Sequence, residues 1–188
     1  MISRRGFLTG ACAMTVASPS VLRAGEHAIA PRFRPRLVPL RGDYEVGRIL
    51  VTPHTHFLYH VVAPGEAMRY GVGVGREGLT FRGEAVVGAK RKWPSWRPTD
   101  EMLARNPREY ARFIEDPDYI MPGGPDNPLG ARALYLYQNG RDTYYRIHGT
   151  NAPQTIGRSV SNGCIRMLNE HVIELYDKVP IGTPVTVF

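Results

Sequence analysis

Ile147-His148-Gly149-Thr150-Asn151 and, after a short loop, Ser159-Val160-Ser161-Asn162-Gly163-Cys164-Ile165-Arg166-Met167 form the stretch on which the reading of this chain turns. A thiolate is a strong nucleophile, and a nearby imidazole can take the thiol proton and return it to a leaving amine. Gly163 permits a tight turn immediately before the sulfur. Backbone N–H groups around Gly163 and Cys164 are thereby expected to converge on the oxygen of a tetrahedral intermediate. One histidine and one cysteine at this distance would also suit a packed core. Their conjunction with glycine turns is what points to chemistry.

Outward from this stretch, the pattern is one of short strands. Residues 133–137 and 143–147 flank the turn Asn139-Gly140, and the second of these strands delivers His148. Upstream, Arg48-Ile49-Leu50-Val51 and Phe57-Leu58-Tyr59-His60-Val61-Val62 precede a third apolar stretch at residues 67–74. Thr80-Phe81 and residues 84–90 read as further strand, residues 121–127 as a long loop, and residues 183–188 as the last strand. Helix signals occur twice. Thr99 is a candidate N-cap for a helix opening with Asp100 and Glu101, which Pro107 splits before Tyr110 and Phe113. Asn169 is a candidate N-cap for a second helix, with Val172, Ile173, Tyr176 and Val179 on one face and Pro180 as its stop. The expected fold is mainly β with two or so short helices, in one domain over residues 46–188 without internal repeat. Residues 25–45, rich in Pro and Arg with no period, read as a leader and tether.

Composition agrees. The 188 residues are 43% hydrophobic and 22% charged, which suits one globular domain with a buried core and excludes disorder as the main state. Twenty glycines and 16 prolines argue for turns and strands over a helical bundle. No apolar run reaches the roughly 20 residues of a membrane helix. Residues 1–24 read as an export signal: Arg4-Arg5-Gly6-Phe7-Leu8 resembles a twin-arginine sequence, and a small, apolar stretch follows toward Leu22-Arg23-Ala24. The location expected of the mature chain is the periplasm. Cys12 lacks the leucine three places before it that a lipidation site carries. Removing residues 1–24 takes away Arg4, Arg5 and Arg23 and no acid, so the net charge falls from +7 to +4. No basic stripe interleaved with aromatics argues for nucleic acid. Cys164 is then unpaired in an exported chain, where cysteines normally pair, and so is either inert and buried or present for its reactivity.

Two further patterns carry less. Gly73-Val74-Gly75-Arg76-Glu77-Gly78 matches a dinucleotide fingerprint, but the residues after it lack helical period, which leaves a glycine-rich turn. His54, His56 and His60 have the spacing of one strand face. With Pro53 before the pair and no acid nearby, an exposed turn fits better than a metal site. No metal and no organic cofactor is expected.

Taken together, His148-Gly149-Thr150-Asn151 and Ser161-Asn162-Gly163-Cys164-Ile165-Arg166-Met167 resemble the signature of the L,D-transpeptidases of the YkuD (ErfK/YbiS) class. Gly123-Gly124-Pro125-Asp126-Asn127-Pro128-Leu129-Gly130, Gly71-Val72-Gly73-Val74-Gly75 and Lys92-Trp93-Pro94-Ser95-Trp96-Arg97-Pro98-Thr99 extend the likeness, which covers about residues 46–188. The resemblance implies a β-sandwich-like catalytic domain, Cys164 as nucleophile and His148 as base with Gly149 beside it. Ser161, Asn162, Gly163 and Arg166 belong with the oxyanion and substrate contacts. The implied substrate is the stem peptide of peptidoglycan: the diamino acid at the third position is acylated onto sulfur, D-alanine leaves, and an amine on a second stem or on an envelope protein takes the acyl group. Carbapenems are expected to acylate Cys164. Many members carry histidine where this chain has Asn162, a departure expected to alter the oxyanion surroundings more than to abolish catalysis. Arg166 is read either as a bidentate partner of a substrate carboxylate or as a salt bridge fixing the cysteine loop. Water as acceptor would make a carboxypeptidase or hydrolase, and loss of catalysis a silent wall-binding module.

Overall fold

The computed structural model describes residues 29–188, so the signal expected over residues 1–24 lies outside the described residues. In chain order come β1 (Arg36–Pro39), β2 (Ile49–Thr52), β3 (Phe57–Ala63), β4 (Glu66–Gly71), β5 (Val74–Gly75), β6 (Gly83–Lys92), α1 (Asp100–Arg105) and α2 (Ala111–Glu115). Then follow β7 (Arg132–Gln138), β8 (Arg141–His148), β9 (Ser159–Ser161), β10 (Ile165–Arg166), α3 (Asn169–Lys178) and β11 (Pro184–Val187). Nine strands form one mixed sheet in the order β1-β4-β3-β2-β11-β6-β7-β8-β10, and β5 pairs with β9 in a small parallel ribbon. The fold is mostly β with three short helices.

β11 is the middle strand of the sheet, and β2 lies beside it. Ile49, Leu50 and Val51 are all buried, as an uninterrupted β-branched and aliphatic run demands when a strand is covered on both faces. β2 pairs antiparallel with β3 and parallel with β11, which puts the last strand of the chain beside one of the earliest. Leu134, Leu136, Ile147, Ile165, Val172 and Leu175 join β2 and β11 residues in one apolar cluster, so α3 closes the core against β7 and β8. The end of α3 is held from the sheet: Lys90 Nζ donates to the Val179 carbonyl at 2.6 Å and also to that of Tyr176, satisfying terminal acceptors that the helix itself leaves open.

Several local readings hold. Asn139 and Gly140 have φ of 52° and 75°, the left-handed pair that a two-residue hairpin between β7 and β8 requires. Thr99 caps α1 by accepting from the Met102 N–H, and the helix stops before Pro107. Others are corrected. Thr80-Phe81 is not strand. Asn169 is not the cap of α3 but its first residue, because its side chain is drawn across to the 130–150 loops. The leader is no tether from residue 29 onward: β1 pairs antiparallel with β4, Arg36 opposite Arg69 through Pro39 opposite Glu66. Phe33, 5% exposed, packs with Ile156 and Leu168 and fastens this edge to the loop before β9. The Pro/Arg-rich segment shows no period because, among its described residues, Phe33 alone is buried.

Candidate functional site

The two strands that carry the candidate pair are neighbours. β10 runs parallel to β8, with Ile165 opposite Ile147 and Arg166 opposite His148. Ile147 and Ile165 point into the core, so the residues on either side of them, Arg146 and His148 on β8 and Cys164 and Arg166 at β10, share the other face. A histidine and a cysteine sixteen positions apart in sequence thus lie on one face at neighbouring strands.

His148 is buried and its Nδ1 lies 2.6 Å from the Gly149 carbonyl oxygen. A carbonyl only accepts, so Nδ1 carries the proton in this bond and Nε2 keeps the lone pair a base needs. Gly149 therefore acts through its carbonyl. It is also pinned from behind, since a side chain at Gly149 would collide with Asn169 Oδ1. Burial, and after it the Arg166 charge, push the His148 pKa down to about 3. Burial likewise raises the Cys164 thiol above its usual range, against the opposing pull of the Arg146 backbone N–H and of the Arg146 and Arg166 charges. The resting pair is a neutral thiol and a neutral imidazole. The thiol points to the Tyr144 carbonyl, with sulfur to oxygen 3.9 Å.

The turn before the sulfur is built by Ser161. Its hydroxyl, on a residue only 2% exposed, donates to the Cys164 carbonyl at 2.7 Å and accepts from the Gly163 N–H at 3.1 Å. Ser161 thereby holds the cysteine loop. Of the two N–H groups expected at an oxyanion, that of Gly163 donates to Ser161, and that of Cys164 has no acceptor among the described residues. Gly163 has φ of 122°, and a Cβ there would lie 2.7 Å from the Leu79 carbonyl and strike the Tyr145 ring. The glycine-rich segment has its use here: Gly73 exchanges both backbone hydrogen bonds with Arg166 at 2.8 Å, and a Cβ on Gly75 would come within 2.9 Å of Gly163 Cα. It seats the cysteine turn.

Arg166 has no ion-pair partner among the described residues, and its buried Nε meets no acceptor. The salt-bridge reading is thereby set aside, leaving a guanidinium with unused donors on the face of Cys164. Asn162 is held by Arg105 at the end of α1, Nη1 to Oδ1 2.7 Å, so it faces that helix. Sequence reasoning missed Arg105, and also Asp142, which grips Arg146 through two bonds of 2.7 and 2.8 Å. It missed Asn169 as well, whose Oδ1 accepts from the Ala131 and Thr150 N–H groups. A polar residue at a helix start was the available signal, but its partners are 38 and 19 positions away. The three upstream histidines do not gather: His54 is exposed, His56 Nε2 lies 3.0 Å from Ser159 Oγ, and His60 is buried in β3. Among the described residues no three His, Cys, Asp or Glu side chains form a metal-type group. No described helix is long and apolar enough to cross a membrane.

A family model for the L,D-transpeptidase catalytic domain, YkuD, matches residues 47–187. The chain belongs to that family. The transpeptidase domain is similar to the probable L,D-transpeptidase YbiS of Escherichia coli, 35% identical over 153 residues that cover 80% of this chain and 47% of that protein. The chain thus spans about half the length of this relative. An L,D-transpeptidase of Enterococcus faecium shares the fold, with TM-score 0.55 at 19% identity over 77% of this chain and 50% of that one. A Brucella melitensis structure named a probable carnitine operon oxidoreductase is 52% identical, covering 85% of this chain and 96% of that chain with TM-score 0.56. In the transpeptidase domain described here, Gly73 to Gly78 lead into a turn and then β6, with no helix to hold a dinucleotide phosphate.

The depressed His148 pKa gives this domain an acid weakness. In the unfolded chain the imidazole takes a proton below about pH 6.5, whereas the folded one resists until about pH 3. The unfolded state binds more protons across that window, so stability is full above pH 6.5 and falls as pH drops toward 3. Burial lowers His60 and His171 too and adds in the same direction. At pH 4.5 the loss from His148 alone is about 2–3 kcal/mol relative to pH 7.5. Urea unfolding at the two pH values measures it, and the His148→Gln variant should show a shallower dependence.

Proposed function

We propose that this chain is a peptidoglycan L,D-transpeptidase in which Cys164 is the nucleophile. The observation that carries the reading is the pairing of β8 with β10, which sets Cys164 on the same face as an imidazole whose free lone pair is fixed by the Gly149 carbonyl. Cys164 attacks the carbonyl of the diamino acid at the third stem position. His148 accepts the thiol proton as the S–C bond forms, then gives it to the nitrogen of departing D-alanine as that C–N bond breaks, leaving a thioester. The Cys164 N–H faces the oxyanion. Arg166 holds a substrate carboxylate with donors that no described acidic side chain takes. An amine then displaces the sulfur, from a second stem in a cross-link or from an envelope protein in an anchoring reaction. Residues 1–24 direct this chemistry to the periplasm as a twin-arginine-type signal, and carbapenems acylate the same sulfur.

The test is mass spectrometry of residues 25–188 with a disaccharide tetrapeptide containing diaminopimelate, beside Cys164→Ala. The expected product is a dimer lacking one D-alanine, absent from the variant. Tripeptide alone would replace joining by hydrolysis, and dimer formation by Cys164→Ala would remove the cysteine from the mechanism.

A further inference from the structure

The strand leading to His148 is irregular where it passes the thiol. β7 and β8 pair Tyr135 with Arg146 and Tyr137 with Asp142, so Thr143, Tyr144 and Tyr145 together stand opposite the single residue Leu136. Tyr144 has φ of 62°, a left-handed conformation that a bulky aromatic side chain adopts only under constraint. The other non-glycine residues with positive φ sit where the chain turns: His56 and Asn139 in hairpin turns and Trp93 at the end of β6. Among the described residues Tyr144 alone of these lies within a strand. The constraint is built from neighbouring side chains. Asp142 Oδ1 accepts the Tyr144 N–H at 2.8 Å, Thr143 Oγ1 accepts the Tyr145 N–H at 3.2 Å, and the Thr143 hydroxyl donates to the Leu136 carbonyl at 2.7 Å. Asp142 is itself locked on Arg146.

This bulge does two things at once. It aims the Tyr144 carbonyl at the Cys164 sulfur, and it turns the Tyr144 ring into solvent, where it is 73% exposed. A large aromatic side chain left uncovered beside a reactive thiol, on a backbone held against its preference, wastes apolar area unless something packs on it. We propose that the Tyr144 ring is a substrate-binding platform, on which the aliphatic side chain of the acyl-donor residue lies while Cys164 attacks its carbonyl. The inference rests on the acyl-transfer reading above. Tyr144 is a binding residue, and its backbone, together with Asp142 and Thr143, positions the sulfur.

Glycine adopts the required φ without strain, which separates binding from architecture. Tyr144→Gly should therefore keep or raise the Tm and alkylate with iodoacetamide at the wild-type rate. Its kcat/KM for thioester formation from the tetrapeptide, read by intact mass, should fall at least tenfold, mainly through KM. Tyr144→Phe should stay within about threefold of wild type, since the ring face and not the hydroxyl is the platform. A kcat/KM for Tyr144→Gly within twofold of wild type overturns the inference and leaves the acyl-transfer reading standing. So does a loss accompanied by a lower Tm and altered alkylation, which would mark a structural role. A wild-type chain that forms no thioester overturns both.

Discussion

His148→Gln is expected to slow thioester formation from the tetrapeptide by about 10³-fold, within the range that positioned general acid–base groups supply. The substitution keeps side-chain size at a buried position but removes the ring lone pair left free at Nε2 when Nδ1 donates to Gly149. Alkylation of Cys164 by iodoacetamide at pH 7 should change by less than threefold, because burial keeps thiol and imidazole both neutral at rest and no ion pair raises the thiolate fraction. The two readouts together are decisive. A thiolate and imidazolium at rest would make alkylation fall with acylation, and an acylation rate within tenfold of wild type would remove His148 from the proton transfers.

The largest expected effect on stability comes from Asn169→Ala. The Asn169 amide accepts from the Ala131 N–H at 2.9 Å and the Thr150 N–H at 3.2 Å, and donates to the Thr150 carbonyl at 3.2 Å. Ala131 and Thr150 are both buried, so the truncation strands three backbone groups that water does not readily reach. At about 1–3 kcal/mol for each buried unsatisfied group, with partial relaxation, the cost is about 3–4 kcal/mol. For a domain of this size that lowers Tm by about 10 °C. Asn169→Asp keeps the acceptor but sets an oxygen against the Thr150 carbonyl, so it should fall between the two. Calorimetry of the three proteins checks the order. The loops that Asn169 joins are those carrying Gly130 and Gly149, so acylation should weaken alongside stability.

These two residues also mark what could be read in the sequence. His148 and Cys164 could be named as candidates because their chemistry is a property of residue type and the turn-forming Gly163 sits next to the sulfur. Asn139-Gly140, Thr99 and Pro107 were legible because each acts on backbone within a few positions of itself. Asn169 was misread as a cap because that local role is what its position suggests, while its partners lie across the fold. The bulge at Tyr144 has no local signal either. It is made by side chains of Asp142 and Thr143 bonding to backbone, in a sequence that alternates well enough for an ordinary strand. The Gly163 N–H, expected to face the substrate, is taken by Ser161, a choice of rotamer that residue identity does not reveal.

The docking of residues 31–39 changes what counts as the unit that folds. The family-model match begins at residue 47, yet β1 and Phe33 lie before it. A fragment cut at that boundary would bare the row of N–H and C=O groups along β4 that β1 now pairs, leaving an open template for any other extended chain. It would also uncover the Ile156 and Leu168 surface beneath Phe33, on either side of the cysteine loop. The span of the family model is thus narrower here than the folded body that β1 and Phe33 complete.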